Sequence, residues 1–310
     1  MARRVLESGG MELRTLRNFA AVARAGNVTR AAEALHISQP ALSMQLRELE
    51  EEMGGPLLVR RPRGVEPTEL GARLLRRADD ILALADRTRD ELRGAGTGGL
   101  SGTLAVGAGE TEAFATVAGA IRALCAENPR LRIDLTSGNG EDIGARIRNG
   151  TLDLAFFVGP SRYRGFDYIA IPHALSWGLM LRRDAPLASR RAIRARDLDG
   201  LPILLTRQMM VGEFLSGWLG HDCGRLNVVC TYNLAYNAAV MVASGLGAAV
   251  CIDGMVPSVY ADRVAFRPFA PEVASDAYLA WRKGVPLSRA AAALVARVRE
   301  VTDAHPATRG

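Results

Sequence analysis

The stretch HISQPALSMQLRELEEEM, residues 36–53, decides how the first part of the chain folds. Leu42, Leu46, Leu49 and Met53 repeat at intervals of four, three and four, the spacing of one buried stripe on an α-helix. Ser38 stands where a hydroxyl can accept from the free N–H groups of the first turn, and Pro40 falls inside that turn, where its missing donor costs nothing. With the leucines committed to a core, Gln39, Ser43, Met44 and Arg47 must project from the outer faces. Upstream, residues 29–35 read as a short helix packed through Ala31, Ala32 and Ala34, and His36, Ile37 and Ser38 turn the chain between the two. Before that, Leu13, Leu16, Phe19, Val22 and Ala23 mark a first helix over 12–25 that Gly26 can end. The whole is a helix-turn-helix pattern.

An outward set near the N-terminus of the second helix of such a pair is what enters the major groove of DNA. Gln can bond adenine with both ends of its amide, Ser can donate or accept, and a thioether can lie against a thymine methyl group. Downstream, LLVRRPRGVEPT, residues 57–68, places Arg60, Arg61 and Arg63 in a turn with Pro62, Gly64 and Pro67, a basic wing suited to phosphates or the minor groove. The plainer alternative, a solvated helical face followed by an arginine-rich loop, stays open on these residues alone.

Residues 68–92 read as one long helix, with Thr68 as cap and Glu69 favourable in the first turn. Leu74, Ala78, Ile81, Ala85, Thr88 and Leu92 recur at heptad-like spacing. Such a stripe must be buried, against a second copy of the chain or against its own. Then GAGTGGLSG, residues 94–102, cannot hold a stiff element and acts as a linker. Beyond it, short apolar runs at 104–106, 133–135 and 152–158 alternate with amphipathic segments, the pattern of a parallel α/β sheet whose ligands sit at the carboxyl ends of the strands.

Composition narrows the function classes. The 310 residues are 48% hydrophobic, 23% charged and 5% aromatic, which marks a soluble globular chain of two or three domains. The net charge of +6 is spread over both halves, so it permits nucleic-acid binding without locating it. No window is apolar enough to span a membrane, and MARRVLESGG lacks a secretory core, so a cytoplasmic protein with no membrane partner is expected. Cys125, Cys223, Cys230 and Cys251 form no paired motif; with His221 they fall short of a zinc set, and buried thiols are expected instead. Gly107-x-Gly109 lacks the third glycine of a dinucleotide loop, because Glu112 stands there. His36, His173, His221 and His305 sit in no arrangement with a nucleophile. No catalytic residue, metal or cofactor is therefore expected; an α/β enzyme or a solute-binding protein with an accessory helical domain is the weaker alternative.

Residues 11–71 resemble the winged helix-turn-helix of LysR-type transcriptional regulators. The resemblance is carried by Leu16, Phe19, Ala31-Ala32, Ser38-Gln39-Pro40, Leu42-Ser43, Leu46, Leu49-Glu50, Gly54, Leu58, Arg60, Arg63 and Thr68. It implies base contacts at Gln39, Pro40, Ser43 and Met44, wing contacts at Arg60 and Arg63, and an N-terminal extension over 1–10. Met44 departs from the arginine common at that position, and a shift of preference at one base pair is expected. More loosely, residues 102–304 are similar to the family's effector domain, through Gly102-x-Leu104-x-Val106-Gly107, Asn128-Pro129, Gly150-x-Leu152-Asp153-Leu154-Ala155 and Ser244-Gly245-Leu246-Gly247.

The implied architecture is α/β overall: an all-α winged helix-turn-helix (11–68), a linker and dimerisation helix (69–93), a flexible linker (94–101), and a periplasmic-binding-protein-like effector domain. Its first subdomain takes 102–172 and 273–304, and its second 173–272. By position, Glu110, Thr111, Asn139, Gly140, Thr206, Arg207, Gln208 and Met209 face a small-molecule effector, with a carboxylate at a helix N-terminus as the family-like guess. Leu74, Ala78, Ile81, Ala85 and Leu92 would join two copies in a homodimer or homotetramer. Double-stranded DNA is the expected partner, and RNA polymerase a further one.

Overall fold

The computed structural model describes residues 11–62, 64–94, 99–159, 165–207, 209, 213–220 and 223–304. The chain divides at Arg93 and Gly94 into two compact units.

The first unit holds helices α1 (Leu13–Ala25), α2 (Val28–Ala34), α3 (Gln39–Met53) and α4 (Glu69–Gly94), with strands β1 (Leu58–Arg61) and β2 (Gly64–Pro67) before α4. Local chemistry sets the helix ends. The Asn27 side chain accepts from the Arg30 N–H and the Ser38 hydroxyl from the Ala41 N–H, while Gly26 and Gly54 close α1 and α3 in the left-handed conformation. Phe19, Val22, Leu42, Leu46, Leu49 and Leu57 form the core, and the complete burial of a side chain such as Leu42 contributes about 1.5–3 kcal/mol. Where the sequence suggests only a basic turn, the wing is a two-stranded hairpin, with Val59 opposite Glu66 and Arg60 opposite Val65.

Two contacts place that hairpin. The Glu50 carboxylate, on the last turns of α3, accepts from the Leu57 and Leu58 N–H groups at 2.8 and 3.1 Å. The Val65 N–H donates to the Gly26 carbonyl at 2.9 Å. Helix α4 is tied to α1 by the ion pairs Arg17–Asp86 and Arg24–Asp79, and the Arg17 guanidinium, helped by Arg89, holds the Asp86 carboxyl below the usual carboxylate range.

The second unit is built on β3 (Ser101–Ala108), β4 (Arg130–Ser137), β5 (Leu154–Gly159), β6 (Phe166–Arg182), β7 (Ile203–Thr206), β8 (Val228–Tyr232), β9 (Ala248–Ile252), β10 (Val264–Pro268) and β11 (Ala274–Arg282). Its helices are α5 (Ala115–Glu127), α6 (Gly140–Arg148), α7 (Glu213–Leu219), α8 (Ala235–Ala243) and α9 (Arg289–Ala304). The strand order is β4-β3-β5-β11-β6-β9-β7-β8, with β10 also on β6. The neighbours β3/β4, β3/β5, β7/β8 and β7/β9 are parallel, and the long β6 runs antiparallel to β9, β10 and β11. β6 thus belongs to two half-sheets: residues 166–176 pair with β11, and residues 177–182 with β9 and β10. Inward residues are mostly apolar, with Leu104, Val106, Phe156, Leu179, Ile203 and Val250 completely buried. Among the described residues no helix is long and apolar enough to cross a membrane.

Candidate DNA-reading face and effector cleft

Helix α3 presents the candidate reading residues on its surface because its apolar stripe, Leu42, Leu46 and Leu49, is buried. Ser38, Gln39, Pro40 and Arg47 are exposed, Ser43 is half-buried, and Met44 has 57% of its surface open. The Gln39 amide donates to the Ser43 hydroxyl one turn on, at 3.0 Å, so the two polar readers are held beside each other. On the wing, Arg61 is engaged across the hairpin by Glu66 at 3.0 Å, whereas Arg60 has no ion partner among the described residues. Arg60 is therefore the better placed for a phosphate. Arg63 lies outside the described residues.

Met44 extends from this face with no hydrogen-bonding donor. Binding-site selection with Met44→Arg is expected to change the preferred base at one position of each half-site, toward guanine, whose O6 and N7 suit a guanidinium. An unchanged consensus would show that Met44 does not touch a base.

The stripe on α4 is divided. Leu74 packs into the core of its own unit and Ala78 is completely buried there, so Ala78 has no surface to offer a second chain. Its periodicity satisfies an intrachain contact, a correction to the expectation that the whole stripe meets a partner. What stays on the surface is Ile81 at 36% and Leu84 at 43% exposure, with Ala85 half-buried beside them. The Leu92 side chain lies outside those described.

In the second unit the carboxyl ends of β3, β5, β7, β8 and β9 converge on an open cleft of about 110 Å³. Phe156, Phe157, Val158, Trp177, Ile252 and Met255 give it an apolar body. Glu110, Asn139, Gly140 and Thr206, all expected from the sequence, supply polar or backbone wall. An adjoining polar recess shares Asn139 and Thr206 and adds Arg207 with Glu141 and Asp142. Thr111 instead caps its own short turn, accepting from the Ala113 N–H. Met209 is only 6% exposed and packs in the main core, so it is not a lining residue. Gln208 lies outside the described residues.

The N-terminus of α6, at the Asn139–Gly140 junction, is already capped. The Asn139 side-chain Oδ1 accepts from the Glu141 and Asp142 N–H groups at 2.9 and 3.0 Å, and the side-chain Nδ2 donates to the Asp142 carboxylate at 2.7 Å. Among the described residues lining this recess, Arg207 is the cation, and it is exposed. Cys251, in the cleft wall, is fully buried, and burial pushes its thiol up to about 12, so it stays neutral. Cys223 contacts the Ser216 hydroxyl, and no cluster of three metal-ligating side chains occurs among the described residues; His221 lies outside them.

Trp177, Tyr232, Asn233 and Met255 were not nominated from sequence. Their signal is an aromatic, polar or apolar residue at or just past the end of a strand, and Trp177 is marked only by its place on the crossing strand β6.

A capped reading helix with a wing, joined to a two-part α/β unit with a cleft at its strand ends, defines a ligand-responsive DNA-binding regulator. Residues 13–72 match the family model described as bacterial regulatory helix-turn-helix protein, lysR family, and residues 97–303 match the LysR substrate binding domain. The Hca operon transcriptional activator HcaR of Escherichia coli (strain K12) is 34% identical over 281 residues, covering 88% of this chain and 93% of that protein. The regulator BudR of Klebsiella aerogenes is 43% identical over 144 residues, 46% of this chain and all of the relative. The crystal structure of full-length CbnR complexed with target DNA superposes with a TM-score of 0.69 at 24% identity, over 94% of this chain and 99% of that one. The chain belongs to the LysR family of transcriptional regulators.

Proposed function

We propose that this regulator reads a palindromic promoter site as a homodimer or homotetramer and answers to a small molecule held in the cleft. The observation that carries this reading is the N-terminal part of α3, where Gln39 is bonded to Ser43 and Gln39, Met44 and Arg47 are exposed, with Arg60 exposed on the wing. Two such heads related by a twofold axis read two half-sites. The surface left on α4 for a second copy is the Ile81–Leu84 segment. RNA polymerase on the same promoter is a further partner, the work is done in the cytoplasm, and no catalysis is involved.

The effector places an apolar body against Phe156, Phe157 and Trp177 and a polar end toward Asn139, Thr206 and Arg207. It acts by binding one arrangement of the two half-sheets better than the other, since only differential affinity can shift an equilibrium. A thermal-shift titration with benzoate and longer aromatic acids tests the site. A ligand at a hundredfold over its Kd adds about 2.7 kcal/mol to the native state and raises Tm by several degrees. The rise is expected in the wild type and should vanish in Thr206→Trp, whose indole would fill the recess; an equal rise in both would put the ligand elsewhere.

A further inference from the structure

We infer that Asn18, a residue of α1 away from the reading face, sets base selectivity by fixing the roll of the reading helix through Gln45. Asn18 is 4% exposed, one of four buried polar residues among those described, and its neighbours Leu16, Phe19, Ala20 and Val22 are all apolar core. A buried amide is costly unless it is hydrogen-bonded. Its amide donates to the Gln45 side-chain carbonyl, on α3, at 2.6 Å.

The position of Gln45 gives this bond its consequence. At 100° per residue, Gln45 lies on one flank of the stripe made by Leu42, Leu46 and Leu49, while Gln39 and Ser43 lie on the other. The leucine contacts are non-directional and tolerate a helix that turns slightly about its own axis. A hydrogen bond is directional and does not. With side-chain tips about 6 Å from the helix axis, a roll of 20° carries Gln39 and Ser43 through about 2 Å, enough to lose a bidentate contact with a base. Asn18 therefore acts as a positioning residue, and the polar group kept in the core specifies geometry rather than adding net stability.

The test uses the full-length protein, a site recovered by selection from random duplex DNA, and a scrambled duplex of equal length. Asn18→Leu keeps the branching and the number of heavy atoms and removes the bond; Val22→Ala on the same helix is a control that weakens packing and leaves the bond intact. Asn18→Leu is expected to lower the ratio of specific to nonspecific affinity about tenfold, with nonspecific affinity within about twofold of wild type. Val22→Ala should lower Tm and leave that ratio unchanged. Gln45→Leu removes the same bond from its half-buried end and should reproduce the loss if Asn18→Leu folds poorly. The inference is overturned if selectivity in the folded variants matches wild type, or falls no further than in Val22→Ala.

Discussion

Gln39→Ala is expected to weaken binding to the protein's own site by roughly ten- to a hundredfold, the worth of one bidentate amide contact to a base. Gln39 is the first residue of α3, is exposed, and donates its side-chain amide to the Ser43 hydroxyl. Its removal leaves no buried donor behind and no hole in the core, so stability should hardly change. Because glutamine carries no charge, the fall of affinity with salt should keep its slope while the whole curve moves to weaker binding. Gel-shift and footprint titrations at two salt concentrations, on the DNA upstream of the protein's own gene, measure both quantities. Equal binding by variant and wild type, without a bounded footprint and lost together at higher salt, would show that only the phosphate backbone is being felt.

Gly71→Ala should cost more, about 4 kcal/mol or above, and leave the DNA-reading unit largely unfolded. Gly71 sits in the first turns of α4, and a methyl group there would lie 1.9 Å from the Leu57 carbonyl oxygen and 2.8 Å from its carbon. Neither atom can retreat. The Leu57 carbonyl accepts from the Thr68 N–H at 2.9 Å, and its own N–H is held by Glu50. The strain therefore spreads to α3, the wing and α4 together. Hydrogen exchange followed by peptide should find protection lost over α1 to α4 and retained over β3 to β11. A variant that melts within a degree or two of wild type, with normal protection, would contradict this close approach.

The legible parts of the chain are those whose causes are local. The stripe of α3, the Ser38 cap and the Gly54 stop all lie within one run of sequence, and the helix forms where they point. The wing strands are four residues each and depend on Gly26 and Glu50, contacts that no periodicity announces. For α4, spacing shows that one face is apolar but not what covers it, and Leu74 and Ala78 turn out to be covered from within. In the cleft, Asn139 and Thr206 are found by counting from strand to helix. Met209 obeys the same count yet turns into the core. Trp177 comes from a strand that changes partners midway, an event set by pairing of Ser176 with Ala274 and of Trp177 with Ile252, far along the chain.

That shared strand has a mechanical consequence. β6 is 17 residues long, roughly 55 Å if fully extended, and serves as a single torsion bar for both halves of the effector unit. Its pairing with β11 slips between Ser275 and Ala277, where two steps along β11 span the four from Leu175 to Ile171 on β6. The bar is thus continuous but has slack at one point, residues 172–174. A twist of one half-sheet against the other would be taken up at that stretch, where pairing to β11 is interrupted.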